Sequence, residues 1–145
     1  MQKKLSPEYV VGLVDGEGSF TVYIRKPEST EPRKRRVLVE PKFYIKLVEK
    51  DKEVLYRLKE FFGCGSVYFQ KDTRPNHQQC YRYEVFRRDE LTSIIIPFFQ
   101  EHQLGFPSKR NDFETFCLLM EAINRKEYLQ RTGLSKMFVL KQTMH

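Results

Sequence analysis

Cysteine and histidine are both scarce in this chain of 145 residues, which has three of each. Cys64, Cys80 and Cys117 stand far apart, and an odd number of cysteines without paired spacing argues against a disulfide framework. The histidines are equally scattered, so no Cys or His pair has the spacing of a structural zinc site. The sequence therefore argues against the disulfide-rich and zinc-stabilised classes of small protein.

Long apolar runs are also missing from the sequence. The longest candidate, residues 94–99, contains a proline and is far too short to cross a membrane. The first seven residues lack the apolar core of a signal peptide. We therefore expect the protein to act in a cytosol, a nucleus or an organelle matrix. The organelle would be a mitochondrion or a chloroplast, and the cytosol could equally be a bacterial or archaeal cytoplasm.

Positive charge is in excess, with a formal net charge of +7, and it is unevenly spread. Two stretches that we assign to strands and their loops, 19–46 and 66–88, hold 13 Lys and Arg against 5 Asp and Glu. The remaining residues hold 13 against 14. The whole excess therefore lies on the predicted β part, which favours a face that binds a polyanion over an evenly solvated surface.

The hydrophobic periodicity predicts a single α+β domain over residues 1–145, with the order α-β-β-α-β-β-α-α-α. Two hairpins form one antiparallel sheet, helices cover one of its faces, and the polar, basic face stays open. The predicted elements are a helix at about 7–16 after the N-cap Ser6, strands at about 19–26 and 37–48, a helix capped by Asp51 that stops at Gly63, strands starting near 66 and 79, and helices at about 89–102, 111–126 and 134–142.

The most informative segment is residues 10–20, which read VVGLVDGEGSF. Gly12 and Gly16 share one helical face, although glycine in a helix is about 1 kcal/mol less favourable than alanine, and this indicates close approach by another backbone. Asp15 and Glu17 lie at the carboxyl end of the helix, where the dipole disfavours acids and a divalent cation would favour them. The alternative is a glycine cap beside two solvated acids.

This segment resembles the nine-residue motif that names the LAGLIDADG homing endonucleases, with Val10 to Gly18 matching the motif. The resemblance extends over nearly the whole chain, and in this order and spacing the set of matches is specific. The further matches are 43–45 leading to 50–51, then 61–65, 95–99, 112–117, and 126–129 followed by 133–134.

The resemblance implies the homing-endonuclease fold, α-β-β-α-β-β-α with a saddle-shaped antiparallel four-stranded sheet, here with extra C-terminal helices. Family members with one motif form dimers in which the two motif helices pack side by side. The single motif in this chain therefore implies a homodimer with two-fold symmetry. The residues expected at the interface are Val11, Gly12, Asp15 and Gly16.

The resemblance also implies metal-dependent hydrolysis of double-stranded DNA at a long pseudo-palindromic target, leaving short 3′ overhangs. Glu17 matches the metal-binding acid, Gly16 would offer its carbonyl, and these oxygen ligands favour Mg²⁺ or Mn²⁺. Lys109 matches the place of a basic catalytic residue, although it could equally be a solvated lysine at a helix start. Many members carry a polar residue near the position of Leu47, so the residue that completes this part of the site stays open.

DNA is expected to contact the strand side chains that point away from the helices. Arg and Lys suit guanine, Gln suits adenine, and Glu can accept from cytosine in the major groove. The basic loop cluster suits phosphates or, alternatively, a nuclear localisation signal. The expected contacts are Ser19, Thr21, Tyr23, Arg25, Lys42, Tyr44 and Lys46 from the first hairpin, Ser66, Tyr68, Gln70, Arg82 and Glu84 from the second, and Arg33, Lys34, Arg35 and Arg36 from the loop.

Two other classes of function compete with a nuclease. One is a non-cleaving nucleic-acid binder of the same fold, either an RNA maturase or a transcriptional regulator. The other is a basic scaffold or ribosome-associated protein, which the composition allows. Glu17 favours the nuclease, because a protein that only binds nucleic acid does not need that acid.

Overall fold

The computed structural model describes residues 4–27 and 38–145. Its elements follow the predicted order when the helical segment 88–101 is taken as one unit. The elements are α1 (Pro7–Glu17), β1 (Gly18–Ile24), β2 (Val39–Val48), α2 (Lys52–Phe62), β3 (Ser66–Gln70), β4 (Cys80–Val85), α3 (Arg88–Glu90), α4 (Ile96–Glu101), α5 (Pro107–Asn124) and α6 (Arg131–Lys141).

The four strands form one antiparallel sheet in the order β1-β2-β4-β3. Phe20 pairs with Phe43, and Phe43 pairs in turn with Val85, so apolar residues line up across three strands. Because side chains alternate between the two faces of a strand, this register places all the large apolar residues of β1 on one side. The α+β architecture predicted from the sequence is confirmed.

Aromatic side chains fill the space between the sheet and the helices. The ring of Phe20 lies 5.1 to 5.6 Å from the rings of Phe43, Phe99, Phe113 and Phe116. Such pairs contribute about 0.5–1.5 kcal/mol each beyond the area they bury. This cluster joins β1 and β2 to α4 and α5, and it fixes the start of α5 against the sheet.

Two helix ends follow the capping rules that the sequence indicated, and a third does not. The Ser6 hydroxyl accepts a hydrogen bond from the Tyr9 amide at 3.1 Å and caps α1 as predicted. Gly63 ends α2 in the left-handed region, with φ of 70°, where glycine is favoured. Asp51 occupies the N-cap position of α2, but its side chain makes no capping hydrogen bond.

Two helices differ from the sequence-based prediction. The segment predicted as one helix at 89–102 contains a π-helical stretch, Leu91–Ile95, between α3 and α4. The fifth helix begins at Pro107, four residues before the predicted start, because proline is well suited to the first helical position. The earlier start places Lys109 inside the first turn of α5.

Within the described residues, no helix is both long enough and apolar enough to span a membrane.

Candidate functional site

The motif helix α1 passes directly into strand β1, with no loop between them. Gly18 is both the C-cap of α1, where its amide donates to the Val14 carbonyl, and the first residue of β1. A Cβ at Gly18 would lie 2.7 Å from Val14 Cγ1, so the turn requires glycine. Glu17, the last residue of the helix, is therefore held exposed at a rigid junction between helix and strand.

Asp15 is used inside its own chain. Its carboxylate accepts hydrogen bonds from the amides of Gly105 and Phe106, each at 3.0 Å, and the residue is 9% exposed. Its side chain therefore anchors the segment that precedes α5. The sequence placed Asp15 at a subunit interface, which stays a prediction; within the single chain its carboxylate is bound by backbone amides.

Lys109 approaches the same junction from α5. Its ammonium group donates to the carbonyl of Gly18, the residue that follows Glu17. Lys109 is therefore half-buried against the α1–β1 junction, and its catalytic role stays a prediction. Lys109 is thereby brought to the residue that follows Glu17, and both Asp15 and the aromatic core hold α5 against the end of α1.

The end of α1 offers oxygen atoms and carries no basic side chain of its own. The last turn contains no basic residue, and the Gly16 carbonyl is among the final carbonyls, which lack intrahelical partners. Within residues 4–27 and 38–145, the end of α1 included, no three His, Cys, Asp or Glu side chains meet as a metal site. Glu17 and the Gly16 carbonyl fit a hard divalent cation chemically, but they supply fewer than the six ligands Mg²⁺ takes.

The two motif glycines lie on the exposed side of α1. A Cβ built on Gly12 or on Gly16 would meet no atom within 4 Å. Val11 beside them is only half-buried. The fold of the single chain therefore gives no steric reason for glycine at either position.

The strand residues predicted to contact DNA share the face of the sheet that the helices leave uncovered; we call it the open face. Ser19 pairs with Tyr44, Tyr44 with Glu84, and Glu84 with Ser66, which makes one row across all four strands. A second row joins Lys46, Arg82 and Tyr68. The open face also carries Thr21, Tyr23, Lys42 and Gln70, with Arg25 just beyond the end of β1.

A cluster of charged and aromatic side chains occupies the middle of the open face. The buried Glu84 accepts a hydrogen bond from the Tyr68 hydroxyl at 3.0 Å. The guanidinium of Arg82 lies 3.6 Å from the centre of the Tyr44 ring. Burial and the hydrogen bond to Glu84 raise the pKa of Tyr68, so its hydroxyl keeps its proton and acts as the donor.

A second charged group lies where β3 turns toward β4. Arg74 donates to Asp72 through its side chain and its backbone, and these hydrogen bonds hold the pKa of the Asp72 carboxyl well below its usual range. Lys46, Gln70 and Lys71 line a shallow pocket beside this pair. The basic surface of the open face therefore extends to the end of the second hairpin.

A cleft of about 310 Å³ lies between the open face and the start of α5. Ser19, Thr21 and Tyr44 line it from the sheet, and Lys109 lines it from α5. Three further lining residues escaped the sequence analysis, namely Ser108, Asp112 and His145. Asp112, one helical turn after Ser108, accepts from the His145 amide at 3.0 Å, a contact between distant positions that no local pattern indicates.

Two other predicted features fall outside this arrangement. Leu47 pairs with Tyr81 and packs against the core, so it offers no polar group to the cleft. The cluster Arg33, Lys34, Arg35 and Arg36 lies outside the described residues.

Comparison with known proteins relates this geometry to one family. The family described as LAGLIDADG endonuclease matches residues 10–120. The homing endonuclease I-ApeII of Aeropyrum pernix is 30% identical over 128 residues, which cover 88% of this chain and 70% of that protein. Other curated relatives are longer, and the chain spans about a quarter of their length.

Solved structures resemble the chain over its full extent. The crystal structure of the homing endonuclease I-TnaI has a TM-score of 0.77 and 34% identity, covering 99% of this chain and 90% of that one. I-SmaMI, bound to an uncleaved DNA target in the presence of calcium ions, has a TM-score of 0.81 and 35% identity. That match covers 98% of this chain and 45% of the I-SmaMI chain. With its motif, its fold and its relatives in agreement, the chain belongs to the LAGLIDADG endonuclease family.

Proposed function

We propose that the chain is a site-specific endonuclease of double-stranded DNA that acts as a homodimer. It hydrolyses phosphodiester bonds at a long pseudo-palindromic target and leaves short 3′ overhangs, as its family resemblance implies. The observation that carries the proposal is the contact of Lys109 with the carbonyl of Gly18, the residue next to the exposed Glu17 at the α1–β1 junction. An exposed acid and a lysine are thereby placed on neighbouring positions at the margin of the open face.

The relatives support this choice of partner and reaction. I-ApeII is named a homing endonuclease, and I-SmaMI was solved on a DNA target with calcium ions. We extend both features to this chain, with double-stranded DNA as the partner and a divalent cation as the cofactor. Mg²⁺ or Mn²⁺ matches the oxygen ligands offered by Glu17 and by the carbonyl of Gly16.

A bound metal would supply Lewis acidity and an activated water for phosphodiester hydrolysis. The protein's own residues hold and orient the components. Glu17 carries the charge that retains the cation, and its position is fixed because Gly18 admits no side chain. The ammonium group of Lys109, which donates to the Gly18 carbonyl next to Glu17, can stabilise negative charge that develops on a phosphate.

The homodimer follows from two properties of α1. Each chain has one motif and one exposed motif acid, whereas cutting both strands of a duplex requires two. Gly12 and Gly16 leave open space on the exposed side of the helix, as a second copy of α1 would need for close approach. An isologous contact through this surface would bring two copies of Glu17 to the two-fold axis.

The test is the isosteric change Glu17→Gln, assayed on a target duplex that the wild-type protein selects from a randomised library. With Mg²⁺ or Mn²⁺ present, the variant should bind the target and fail to cut it, because the cation loses its charged ligand. Glu8→Gln is the control, since Glu8 is also exposed on α1 but lies in its first turn. It should cut at the wild-type rate.

Two results would count against the proposal. Wild-type cleavage by Glu17→Gln would remove Glu17 from the catalytic site. Selective binding by the wild-type protein without cleavage at any Mg²⁺ or Mn²⁺ concentration would favour the non-cleaving nucleic-acid binder of the same fold.

A further inference from the structure

The middle of the open face holds an unusual set of buried polar atoms. Among the described residues, the buried side-chain atoms without a hydrogen-bond partner are Gln70 Oε1, Arg82 Nε and Glu84 Oε1. Native proteins contain few such atoms, because each one destabilises the fold. Their concentration on one face, rather than scattered through the core, indicates a surface built for a purpose other than stability.

Glu84 is the centre of this set. Its Oε2 accepts the hydroxyl of Tyr68, and its Oε1 lies 3.4 Å from Lys42 Nζ and 3.5 Å from Arg82 Nη2. Oε1 thus has two cations within ion-pair distance, although neither has the geometry of a hydrogen bond. Three strands contribute to this cluster, with Lys42 on β2, Tyr68 on β3, and both Arg82 and Glu84 on β4.

Arg82 is held from two sides. The Tyr44 ring stacks on its guanidinium at 3.6 Å, and the Glu84 carboxylate lies beside its Nη2. Its side chain is only 18% exposed, which is low for an arginine on an open sheet face. A guanidinium fixed in this way loses little conformational entropy when it forms a pair of hydrogen bonds with a base edge.

The accessibility of Glu84 argues against a direct role in reading bases. Its side chain is 10% exposed, and its unpartnered oxygen is covered by the chain's own atoms. A cytosine amino group could not reach that oxygen without displacing Lys42 or Arg82. A carboxylate on this face also repels phosphates, so its presence opposes DNA binding in general.

We propose that Glu84 is a positioning residue for sequence specificity, which holds Arg82, Lys42 and Tyr68 in one fixed arrangement that reads a short stretch of the target. This assignment rests on the proposed function and deepens it. Arg82 makes the base contact, for which guanine is the preferred partner. Glu84 lowers the affinity for DNA of any sequence, because its charge opposes phosphate binding. It raises selectivity, because it restricts the orientations of its cationic neighbours.

Glu84→Gln and the matched control Glu40→Gln separate the effect of positioning the neighbouring side chains from the effect of removing a negative charge. Glu40 lies on the same face, 3.8 Å from Lys42 Nζ, and its change removes the same single charge. Both variants should bind random-sequence duplex more tightly than the wild-type protein. Only Glu84→Gln should lose discrimination at the base pairs read by Arg82, by about 10-fold, when preference is measured on a randomised duplex library.

Tyr68→Phe provides a second variant that keeps every charge and removes only the hydrogen bond to Glu84. It should weaken preference at the same base pairs as Glu84→Gln without raising affinity for random DNA. If Glu84→Gln does not fold, as judged by its melting temperature, Tyr68→Phe decides the question alone.

The failures of the two proposals are distinguishable. A wild-type protein without sequence preference would overturn the proposed function. A selective wild-type protein whose preference survives Glu84→Gln as fully as Glu40→Gln would overturn the role of Glu84 and leave the endonuclease proposal standing. Unchanged preference in Tyr68→Phe would equally overturn it.

Discussion

Two acids, two residues apart at the end of one helix, have opposite roles. Asp15 is bound by two backbone amides that belong to the segment before α5. Glu17 is exposed at a helix end whose dipole is negative, and no basic residue lies in that turn. Asp15 therefore stabilises the fold, whereas Glu17 is locally unfavourable, which agrees with our proposal that it binds a cation.

Asp15→Ala should destabilise the protein by about 2–4 kcal/mol, because two amides lose a charged acceptor. Chemical denaturation measures this change. Asp15→Asn, which keeps one acceptor oxygen, should fall between wild type and alanine. Glu17→Gln is the contrasting control, and it should raise stability by about 0.3–1 kcal/mol by removing an acid from the negative end of the helix.

An equal loss of stability in the Asp15 and Glu17 variants would contradict this division of roles. Asp15→Ala should also slow cleavage, since Lys109 stands on the helix that Asp15 anchors.

At the residue scale, the sequence indicated which side chains share a face but not what they touch. Alternation along β2 and β4 placed Lys42 and Glu84 on the open face, because the period of a strand is a local property. The burial of Glu84 among cations depends on the register of three strands, which local periodicity does not contain. Asp15 and Phe106 are 91 positions apart, so their hydrogen bond was equally beyond prediction.

At the element scale, α1 is a helix with one side unpartnered in the single chain. Its buried side carries Val10 and Val14, whereas Gly12 and Gly16 lie on the opposite, open side. Helix interiors disfavour glycine by about 1 kcal/mol relative to alanine, so the folded chain alone would be more stable without these glycines.

Gly12→Ala and Gly12→Leu should therefore separate folding from assembly. Both should leave the single chain folded, because a side chain at residue 12 meets no atom of its own chain. The leucine variant should sediment as a monomer and lose cleavage, since its side chain blocks the approach of a second α1. A stable wild-type monomer on its selected target would refute the assembly, as would a fully dimeric leucine variant.

Element boundaries were predictable where caps are local and less so elsewhere. Ser6, Pro7 and Gly63 marked their helix ends correctly. The start of α5 was set four residues too late, because Phe106 at its N-cap makes no side-chain cap that a sequence would signal. The π-helical stretch at Leu91–Ile95 likewise has no distinctive local pattern.

At the scale of the whole molecule, the excess positive charge lies on the strands and their loops. Binding to DNA should weaken steeply with salt. The logarithm of the binding constant should fall by about 0.9 for each phosphate neutralised when the salt concentration rises tenfold. Alanine at Arg33, Lys34, Arg35 and Arg36 together should flatten this slope and weaken binding to all sequences alike. Fluorescence anisotropy over a salt series measures both effects.

A matched control removes four positive charges from the helical side, at Lys59, Lys126, Arg131 and Lys136, all of which are exposed. Its salt slope should remain at the wild-type value, because the change in net charge is the same but the charges lie away from the open face. Equal slopes in the two variants would show that net charge alone governs binding.

The direct passage of α1 into β1 constrains how this protein could acquire a new target. Only Gly18 separates Glu17 from Ser19, the first side chain on the open face, so the two are at most about 7 Å apart along the chain. Any backbone shift that adapts Ser19 to a different base pair also moves the carboxylate. The strand β3 forms the opposite edge of the sheet, and its residues are not joined directly to Glu17 along the chain. Divergence of the recognised sequence should therefore begin at its outer base pairs, while the central ones remain fixed by the demands of cleavage.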